Sequence, residues 1–130
     1  MTVLGLDPGT RKCGYAVIEA DGGRPRAMGI LPIGELAERL RAVLTATPAA
    51  LAAIGRGTNA AAVARVVREL GLPFELVDER ETTLRARARF FLDHPPRGWK
   101  RLIPAGMLLP DRPIDDYAAL LIAERFLKGS

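Results

Sequence analysis

Three acidic positions, far apart in the sequence, carry the residue types that divalent-metal chemistry requires. They are Asp7, the pair Asp78 and Glu79, and the pair Asp115 and Asp116. Carboxylates that meet in a partly desolvated cleft repel one another, and a bound divalent cation relieves that repulsion. A site made of oxygen ligands alone favours Mg²⁺ or Mn²⁺. The acids therefore raise the hypothesis of a magnesium or manganese centre, provided that the fold brings them together.

Each acid also has an ordinary structural interpretation. The run Asp7-Pro8-Gly9 is typical of a tight turn, because proline presets φ and glycine accepts positive φ. Asp115 and Asp116 are common helix N-cap residues, and Glu79 has a cationic neighbour, Arg80. Any one acid is explained in this way, whereas three sites at element ends favour the metal interpretation.

The elements that must position these acids follow from hydrophobic periodicity and turn residues. Apolar runs bounded by turn signals predict three strands joined by short turns, which is typical of an antiparallel meander. Further strands and helices then alternate, which is typical of parallel strands joined by helical crossovers. The predicted strands are 2–7, 13–19, 26–33, 50–54 and 74–79; the helices are 34–46, 60–70, one from Thr82 or Thr83 to about Leu92, and one from Asp115 or Asp116 onward; 94–113 is a loop or lid. Ligands in open α/β sheets bind beyond the carboxyl ends of the strands, so we expect the acids to meet at one edge.

Composition narrows the classes of function. The chain has 130 residues, a formal net charge of +4, one cysteine and one histidine. The length and the element order predict a single α/β domain over 1–130. The single cysteine excludes an intrachain disulfide and a cysteine-ligated zinc cluster. No apolar run approaches the roughly 20 residues of a membrane helix, and the N-terminus lacks the pattern of a signal peptide. We therefore expect a cytoplasmic protein with no membrane contact.

Basic residues near the acids predict a nucleic-acid interface. Two cations follow the Asp7 turn, and six lie between residues 85 and 101 against one acid. The longer cluster has the alternative of a solvated helix face. For Lys12 the alternative is a solvated cation in a turn, and for Trp99 it is a side chain that covers the edge of the core. The predicted contacts to phosphates and bases are Arg11, Lys12, Arg80, Arg85, Arg89, Trp99, Lys100 and Arg101.

Three segments make the chain similar to a known family. "LGLDPGTRKCGYAV", "VDERETT" and "IDDYAALLI" occur in the order of the YqgF/RuvX family, whose members are RNase H-like proteins described as Holliday junction resolvase-like nucleases and pre-16S rRNA processing nucleases. The resemblance extends from Val3 to Leu127. It implies a single RNase H-like nuclease domain over 1–130, with a five-stranded mixed sheet (three antiparallel strands, then parallel strands) flanked by helices. It also implies that Asp7, Glu79 and Asp115 are catalytic and bind Mg²⁺ or Mn²⁺, with Asp116 as a further ligand.

The opening segment also resembles the RuvC resolvases, which carry a glutamate at the end of the fourth strand. This chain has Ile54-Gly55-Arg56 there, which favours YqgF/RuvX and makes Glu79 the second carboxylate. The resemblance thus implies a metal-dependent nuclease that acts on structured RNA, with pre-16S rRNA maturation as the leading expectation. A Holliday junction resolvase-like nuclease on branched DNA and a non-catalytic nucleic-acid-binding transcription accessory factor are the alternatives. Either a monomer or a homodimer is compatible with the sequence.

Overall fold

The element order expected from the sequence is present in the structure. A computed structural model describes residues 1–22, 24–78, 82–104 and 109–128. In this part of the chain the strands are β1 (Thr2–Pro8), β2 (Lys12–Glu19), β3 (Ala27–Pro32), β4 (Leu51–Gly55) and β5 (Phe74–Val77). The helices are α1 (Leu36–Ala46), α2 (Ala60–Glu69), α3 (Thr82–Asp93) and α4 (Asp115–Leu127), with short 3₁₀ turns at Ile33–Glu35 and Gly98–Leu102. None of these described helices combines the length and the apolar character that crossing a membrane requires.

The five strands form one mixed sheet in the order β3-β2-β1-β4-β5. β2 pairs antiparallel with β1 and with β3, whereas β4 runs parallel to β1 and to β5. Tight turns suffice for the antiparallel pairs, while the parallel pairs need the crossovers that α1 and α2 supply. The predicted architecture of an antiparallel meander followed by parallel strands is confirmed.

The two faces of the sheet carry separate apolar cores, because side chains alternate along each strand. In β1, Leu4 and Leu6 pack in one core with Leu40 of α1, whereas Val3 packs in the other core with residues of α4. Asp7 continues the series of Val3, so its side chain belongs to the face that α4 covers.

Two predicted element boundaries differ from the structure by two residues, the others agree to within one residue, and one predicted loop contains a short helical turn. Helix α1 begins at Leu36 rather than at residue 34, because Ile33–Glu35 form a 3₁₀ turn first. Strand β5 ends at Val77 rather than at residue 79. The segment 94–113, expected to be a loop, contains the 3₁₀ turn Gly98–Leu102; proline-rich composition gives no signal for so short an element.

Neither α2 nor α4 has a side-chain capping hydrogen bond at its N-terminus. The N-cap position of α4 is Ile114, and neither aspartate occupies it. Asn59 does occupy the N-cap position of α2, but its side chain makes no capping hydrogen bond. Asp115 and Asn59 instead contact segments distant in the sequence, which sequence-local capping rules do not register. Asp116 accepts hydrogen bonds from Arg112 and from the Tyr117 N–H nearby.

Candidate active site

Asp7 lies at the carboxyl end of β1, one residue before the strand ends. It pairs with Gly14 of β2, and residues paired across a ladder face the same side of the sheet. The hairpin after it is tight, since a Cβ on Gly9 would lie 2.5 Å from the carbonyl oxygen of Lys12. The turn interpretation and the metal-ligand interpretation of Asp7-Pro8-Gly9 are therefore compatible, because the hairpin holds a partly exposed carboxylate at the sheet edge.

Asp115 reaches the same edge because α4 packs very closely on β2. A Cβ on Gly14 would lie 1.9 Å from the carbonyl oxygen of Asp115, so only glycine permits this approach. Gly5 of β1 has a similar role further along α4, where an added Cβ would lie 2.2 Å from the carbonyl oxygen of Ala119. Since Gly14 is the ladder partner of Asp7, Asp7 and Asp115 share one corner of the sheet.

Lys12 forms an ion pair with Asp115 at this corner. Its Nζ lies 3.4 Å from Asp115 Oδ2, and the two side chains are 45% and 31% exposed. Lys12 and Gly14 are two residues apart in β2 and therefore face the same side, which brings the ammonium group beside the first residue of α4. Neither the phosphate-binding prediction for Lys12 nor the solvated-turn alternative anticipates this pair.

Both carboxylates affect the pKa of the buried Cys13 thiol. Burial, the negative charge of Asp7 and the negative charge of Asp115 raise the pKa of Cys13 from 9.0 to about 12, while a hydrogen bond to the Asp7 backbone opposes the shift. Its side chain is fully buried in the core on the α1 and α2 face, as expected for a small core residue. The thiol therefore lies on the opposite face of the sheet from the Asp7 side chain.

Asp116 lies on another side of α4, about 100° around the helix from Asp115. Its side chain is only 8% exposed, and both carboxylate oxygens accept hydrogen bonds of 3.4 Å from the guanidinium group of Arg112. The backbone N–H of Tyr117 donates to Asp116 at 3.0 Å. Because protein donors surround this carboxylate, the structure does not bring it to Asp7. Metal binding by Asp116 stays a prediction, which these protein partners disfavour.

The surroundings of Asp116 form a polar and aromatic group that we call the Asp116 cluster: Phe90, Asp93, Arg112, Asp116 and Tyr117. Arg112 lies over the rings of Phe90 and Tyr117, at 5.3 and 5.7 Å from their centroids. The Tyr117 hydroxyl donates to Asp93 at 2.7 Å. Burial, this hydrogen bond and the charge of Asp93 raise the pKa of Tyr117 to about 12. The cluster joins α3, α4 and the segment between them.

The described residues bring together two of the predicted metal ligands. Among them, no group of three or more His, Cys, Asp or Glu side chains could hold a metal ion. Two carboxylates, Asp7 and Asp115, converge, and a cation already pairs with one of them. Such a hard-oxygen donor set fits Mg²⁺ or Mn²⁺. The predicted third ligand, Glu79, and its neighbour Arg80 lie outside the described residues.

The strand order determines how far a third ligand from beyond β5 must reach. Asp78, which precedes Glu79 in the chain, is exposed beyond the carboxyl end of β5. β4 separates β5 from β1, so two strand spacings, about 10 Å, lie between the ends of β1 and β5. β4 itself ends in Gly55, which has no side chain to contribute. A carboxylate that completes the site from beyond β5 must therefore extend toward Asp7 over the end of β4.

Asn59 is a site-supporting residue that sequence reasoning missed. Its side-chain amide donates a hydrogen bond of 3.0 Å to the carbonyl oxygen of Gly9. This contact ties the Asp7 hairpin to the loop between β4 and α2. The sequence signal, an asparagine at the start of a helix, indicates a cap, and nothing local distinguishes a cap from a tether to a segment fifty residues away.

The predicted nucleic-acid contacts include exposed residues and one residue, Arg89, that is engaged in helix packing. Trp99 is 70% exposed, which disagrees with the alternative that it covers the core edge. The cations Arg11, Arg85, Lys100 and Arg101 are exposed as well.

Arg89 is engaged in helix packing. It forms a bidentate ion pair with Glu124 of α4 at 2.7 and 2.8 Å, and hydrogen bonding to Glu124 raises the pKa of Arg89. Glu124 lies nine positions after Asp115, about 14 Å along the helix. A nucleic-acid contact by Arg89 stays a prediction, which this ion pair with Glu124 disfavours.

The first half of the chain matches a family of known nucleases. The sequence model described as crossover junction endodeoxyribonuclease RuvC matches residues 3–69. The chain belongs to the RuvC family. The matched residues include Asp7, Lys12 and Asn59, whereas Asp115 lies beyond the match and is linked to it by the packing of α4 on Gly14.

Individual relatives agree with this assignment. RuvC of Hahella chejuensis is 53% identical over 47 residues, which are 33% of this chain and 27% of that protein. RuvC of Anaeromyxobacter sp. strain K is 43% identical over 56 residues, which are 40% of this chain and 30% of that protein. The chain spans less than a third of the length of these curated relatives.

A solved structure supports the fold over almost the whole chain. The Thermus thermophilus RuvC in complex with a Holliday junction substrate superposes with a TM-score of 0.59 and 22% identity, covering 95% of this chain and 90% of that one. At this identity the likeness supports the RNase H-like fold alone, and that predicted fold class is confirmed.

The comparisons also bear on the YqgF/RuvX resemblance. Its broader part, an RNase H-like protein of the Holliday junction resolvase kind, is confirmed by the RuvC match. The finer assignment to YqgF/RuvX has no support in these matches. The segment "VDERETT" (77–83), which carried that assignment, lies beyond the matched residues 3–69.

Proposed function

We propose that this RuvC-family chain is a divalent-metal-dependent endonuclease that hydrolyses phosphodiester bonds in branched DNA, with a four-way junction as its substrate. The observation that carries the proposal is the convergence of Asp7, inside the segment that matches RuvC, with Asp115 at the first turn of α4. Packing alone does not require two carboxylates at one corner of a sheet, because like charges there destabilise the fold. A metal-binding function explains why both carboxylates lie at this corner.

Asp7 and Asp115 would hold Mg²⁺ or Mn²⁺ together with Glu79, whose part rests on the sequence. When bound, such ions supply activation of a water molecule and stabilisation of the leaving oxygen in an in-line hydrolysis. The chain contributes the oxygen ligands and holds them through the β1–β2 hairpin and the close packing of α4. The N-terminus of α4 adds partial positive charge, which favours an anionic phosphate nearby.

The exposed cations would bind the nucleic-acid backbone. Arg11 and Lys12 lie next to Asp7 in the hairpin and suit a phosphate adjacent to the cleaved bond. Arg85, Lys100 and Arg101 would contact phosphates further away, and the exposed ring of Trp99 would stack on an unpaired base. Binding through several such cations predicts affinity that falls steeply with salt concentration. Arg80 remains a further proposed contact outside the described residues.

Branched DNA is proposed as the substrate because of the family match and the neighbour solved with a Holliday junction. A four-way junction presents two equivalent strands, and paired cuts need two active sites, so we propose a homodimer as the active form. We also propose a cytoplasmic location and one nuclease domain over residues 1–130; both rest on sequence alone.

Maturation of pre-16S rRNA is a second candidate, favoured by one specific feature. RuvC resolvases resemble this chain at the start but carry a glutamate where Gly55 ends β4, and the segment "VDERETT" here resembles the YqgF/RuvX pattern. The match to RuvC supports the DNA candidate better, so cleavage of an RNA precursor is measured beside cleavage of the DNA junction.

The test is metal-dependent cleavage by the unaltered chain, by Asp7→Asn and by Asp21→Asn. Asp21 is an exposed turn residue, and its substitution is a matched change of one carboxylate away from the site. Each protein is incubated with Mn²⁺ or Mg²⁺ and a labelled four-way DNA junction, a linear duplex of the same sequence, or a pre-16S rRNA precursor. Sedimentation of the protein alone and with the junction reports the oligomeric state.

We expect cleavage of the junction in preference to the duplex, lost in Asp7→Asn and retained in Asp21→Asn. Cleavage of the RNA precursor alone would instead support the rRNA candidate. Equal nucleic-acid binding by all three proteins without cleavage would favour the third interpretation, a non-catalytic transcription accessory factor, and would contradict the proposed nuclease.

A further inference from the structure

The ion pair between Lys12 and Asp115 has a consequence for metal binding. The Nζ of Lys12 lies 3.4 Å from Asp115 Oδ2, so the carboxylate that the proposed metal centre requires already has a cationic partner. The partner belongs to the same hairpin that holds Asp7. A metal ion and the ammonium group would therefore compete for the same carboxylate.

The fold fixes this arrangement. Lys12 begins β2, and its side chain faces α4 because it is two residues from Gly14. Gly14 in turn allows the first residue of α4 to touch the strand. The hairpin is closed so tightly that a Cβ on Gly9 would meet the carbonyl oxygen of Lys12. These backbone contacts place the start of β2 against the first residue of α4, within reach of the Lys12 side chain.

We propose that Lys12 is a positioning residue that competes with the divalent metal for Asp115. It holds the carboxylate and offsets its charge before the metal binds, and it sets the metal concentration at which the site is filled. This inference rests on the proposed function, because it assumes that Asp7 and Asp115 bind a metal. It assigns Lys12 a role that neither a phosphate contact nor a solvated turn residue has.

The magnitude follows from how strong such pairs are. The paired state of a partly exposed ion pair is favoured by up to about five-fold, and an occupied carboxylate lowers the apparent affinity for a competing ligand by the fraction that is free. Removal of Lys12 should therefore tighten metal binding roughly two- to five-fold. The difference should shrink as salt is added, because ionic strength screens a partly exposed pair.

The experiment measures Mn²⁺ affinity by calorimetry and by the loss of the free-ion magnetic resonance signal, without substrate. The variants are Lys12→Met, Lys12→Arg and Arg11→Met. Arg11 is the matched control: it is an exposed cation one residue away, and among the described residues it makes no ion pair with Asp115. Its removal changes the charge near the site without freeing the carboxylate.

We expect tighter binding in Lys12→Met, near-unaltered binding in Lys12→Arg and a smaller change in Arg11→Met. If Lys12→Met and Arg11→Met bind equally, or if Lys12→Met binds more weakly than the unaltered chain, competition at Asp115 is contradicted while the metal centre stands. If neither the unaltered chain nor any variant binds Mn²⁺, the proposed metal centre fails together with this inference. Circular dichroism of each variant confirms that the fold is kept.

Discussion

Asp115 and Asp116 are adjacent and have the same side chain, yet they lie in opposite environments. Asp115 is 31% exposed, lies against β2 and pairs with a lysine whose own side chain is 45% exposed. Asp116 is 8% exposed and is satisfied by Arg112 and a backbone N–H. One carboxylate is accessible to an exchangeable cation, whereas the other is fixed inside the Asp116 cluster.

The difference shows that the direction of a side chain from the helix, rather than its residue type, separates chemistry from support. A turn of about 100° takes the carboxylate from the open corner near Asp7 to a buried contact between α3 and α4. Buried charge needs fixed partners, while a metal ligand must be able to change partner. The first turn of α4 therefore serves both the site and the fold.

The largest expected effect is on cleavage. Asp115→Asn removes a charged ligand and should lower metal-dependent cleavage of a four-way junction about a thousandfold, since metal stabilisation is worth several kcal/mol. Asp116→Asn should stay within a few-fold of the unaltered chain once corrected for the folded fraction. Initial rates on one junction preparation provide the measurement. Equal losses of cleavage in the two variants would contradict separate roles for Asp115 and Asp116.

A second prediction concerns the contact that carries Asp115. Gly14→Ala places a Cβ where the Asp115 carbonyl oxygen lies, at 1.9 Å, so α4 must move. Misplacement of a catalytic group by about 1 Å costs on the order of a hundredfold in rate, and thermal stability should fall as well. Gly34→Ala is the control, because nothing lies within 4 Å of its added Cβ. Unaltered cleavage in folded Gly14→Ala would show that the close approach is not required.

Stability should reverse the ranking of the two aspartates. Asp116→Asn weakens a largely buried pair with Arg112 and should lower the free energy of unfolding by about 1–2 kcal/mol. Asp115→Asn removes only a partly exposed pair near another acid and should cost less than about 0.5 kcal/mol. Urea denaturation of both variants measures these values. A larger cost for Asp115→Asn would mean that Lys12 and Asp115 are mainly structural.

A smaller effect is expected from the far part of α4. Arg89→Met breaks the bidentate pair with Glu124, whose side chains are about one third exposed, so we expect a loss of about 0.5–1 kcal/mol. Cleavage and salt dependence of DNA binding should not change. Lys100→Met is the comparison, because loss of this exposed cation should weaken DNA binding without a similar loss of stability. Weaker binding by Arg89→Met would place this arginine in the interface.

The finest test uses the thiol of Cys13. Its pKa, about 12, is raised in part by the charges of Asp7 and Asp115, so Asp7→Asn and Asp115→Asn should lower it while Asp116→Asn should not. Because the folded-state pKa lies above the ordinary value of 9.0, this group's contribution to stability is complete below pH 9 and is lost as the pH rises toward 12. Thiolate absorbance during alkaline titration provides the measurement, and Cys13→Ala provides the baseline.

Much of the fold follows from local sequence patterns. The apolar periods of β1, β2 and α1 are strong, and turn residues separate the elements, so the order and positions of the strands and helices along the chain are predictable. A glycine inside a strand indicates close backbone approach, and Gly14 has that meaning here. Asp7 and Asp115 could be selected because each follows or begins an element at the same edge.

The finer features of the site depend on how α4 is placed on the sheet. Whether Lys12 meets Asp115, whether Asp116 faces Arg112 and whether Arg89 reaches Glu124 are all decided by the rotation of α4 against β2 and α3. No local pattern encodes that rotation, since each residue is also reasonable on an exposed surface. The tether from Asn59 to Gly9 was missed because an asparagine at a helix start has the same local signal whether it caps the helix or bonds to a distant segment.

The most direct test of the central claim is a Mn²⁺ titration of the unaltered chain, Asp115→Asn and Asp116→Asn, monitored by the magnetic resonance signal of the free ion. The account predicts saturable binding by the unaltered chain and by Asp116→Asn, and loss of that binding in Asp115→Asn. Binding that survives in Asp115→Asn and is lost in Asp116→Asn would contradict the assignment of the two carboxylates.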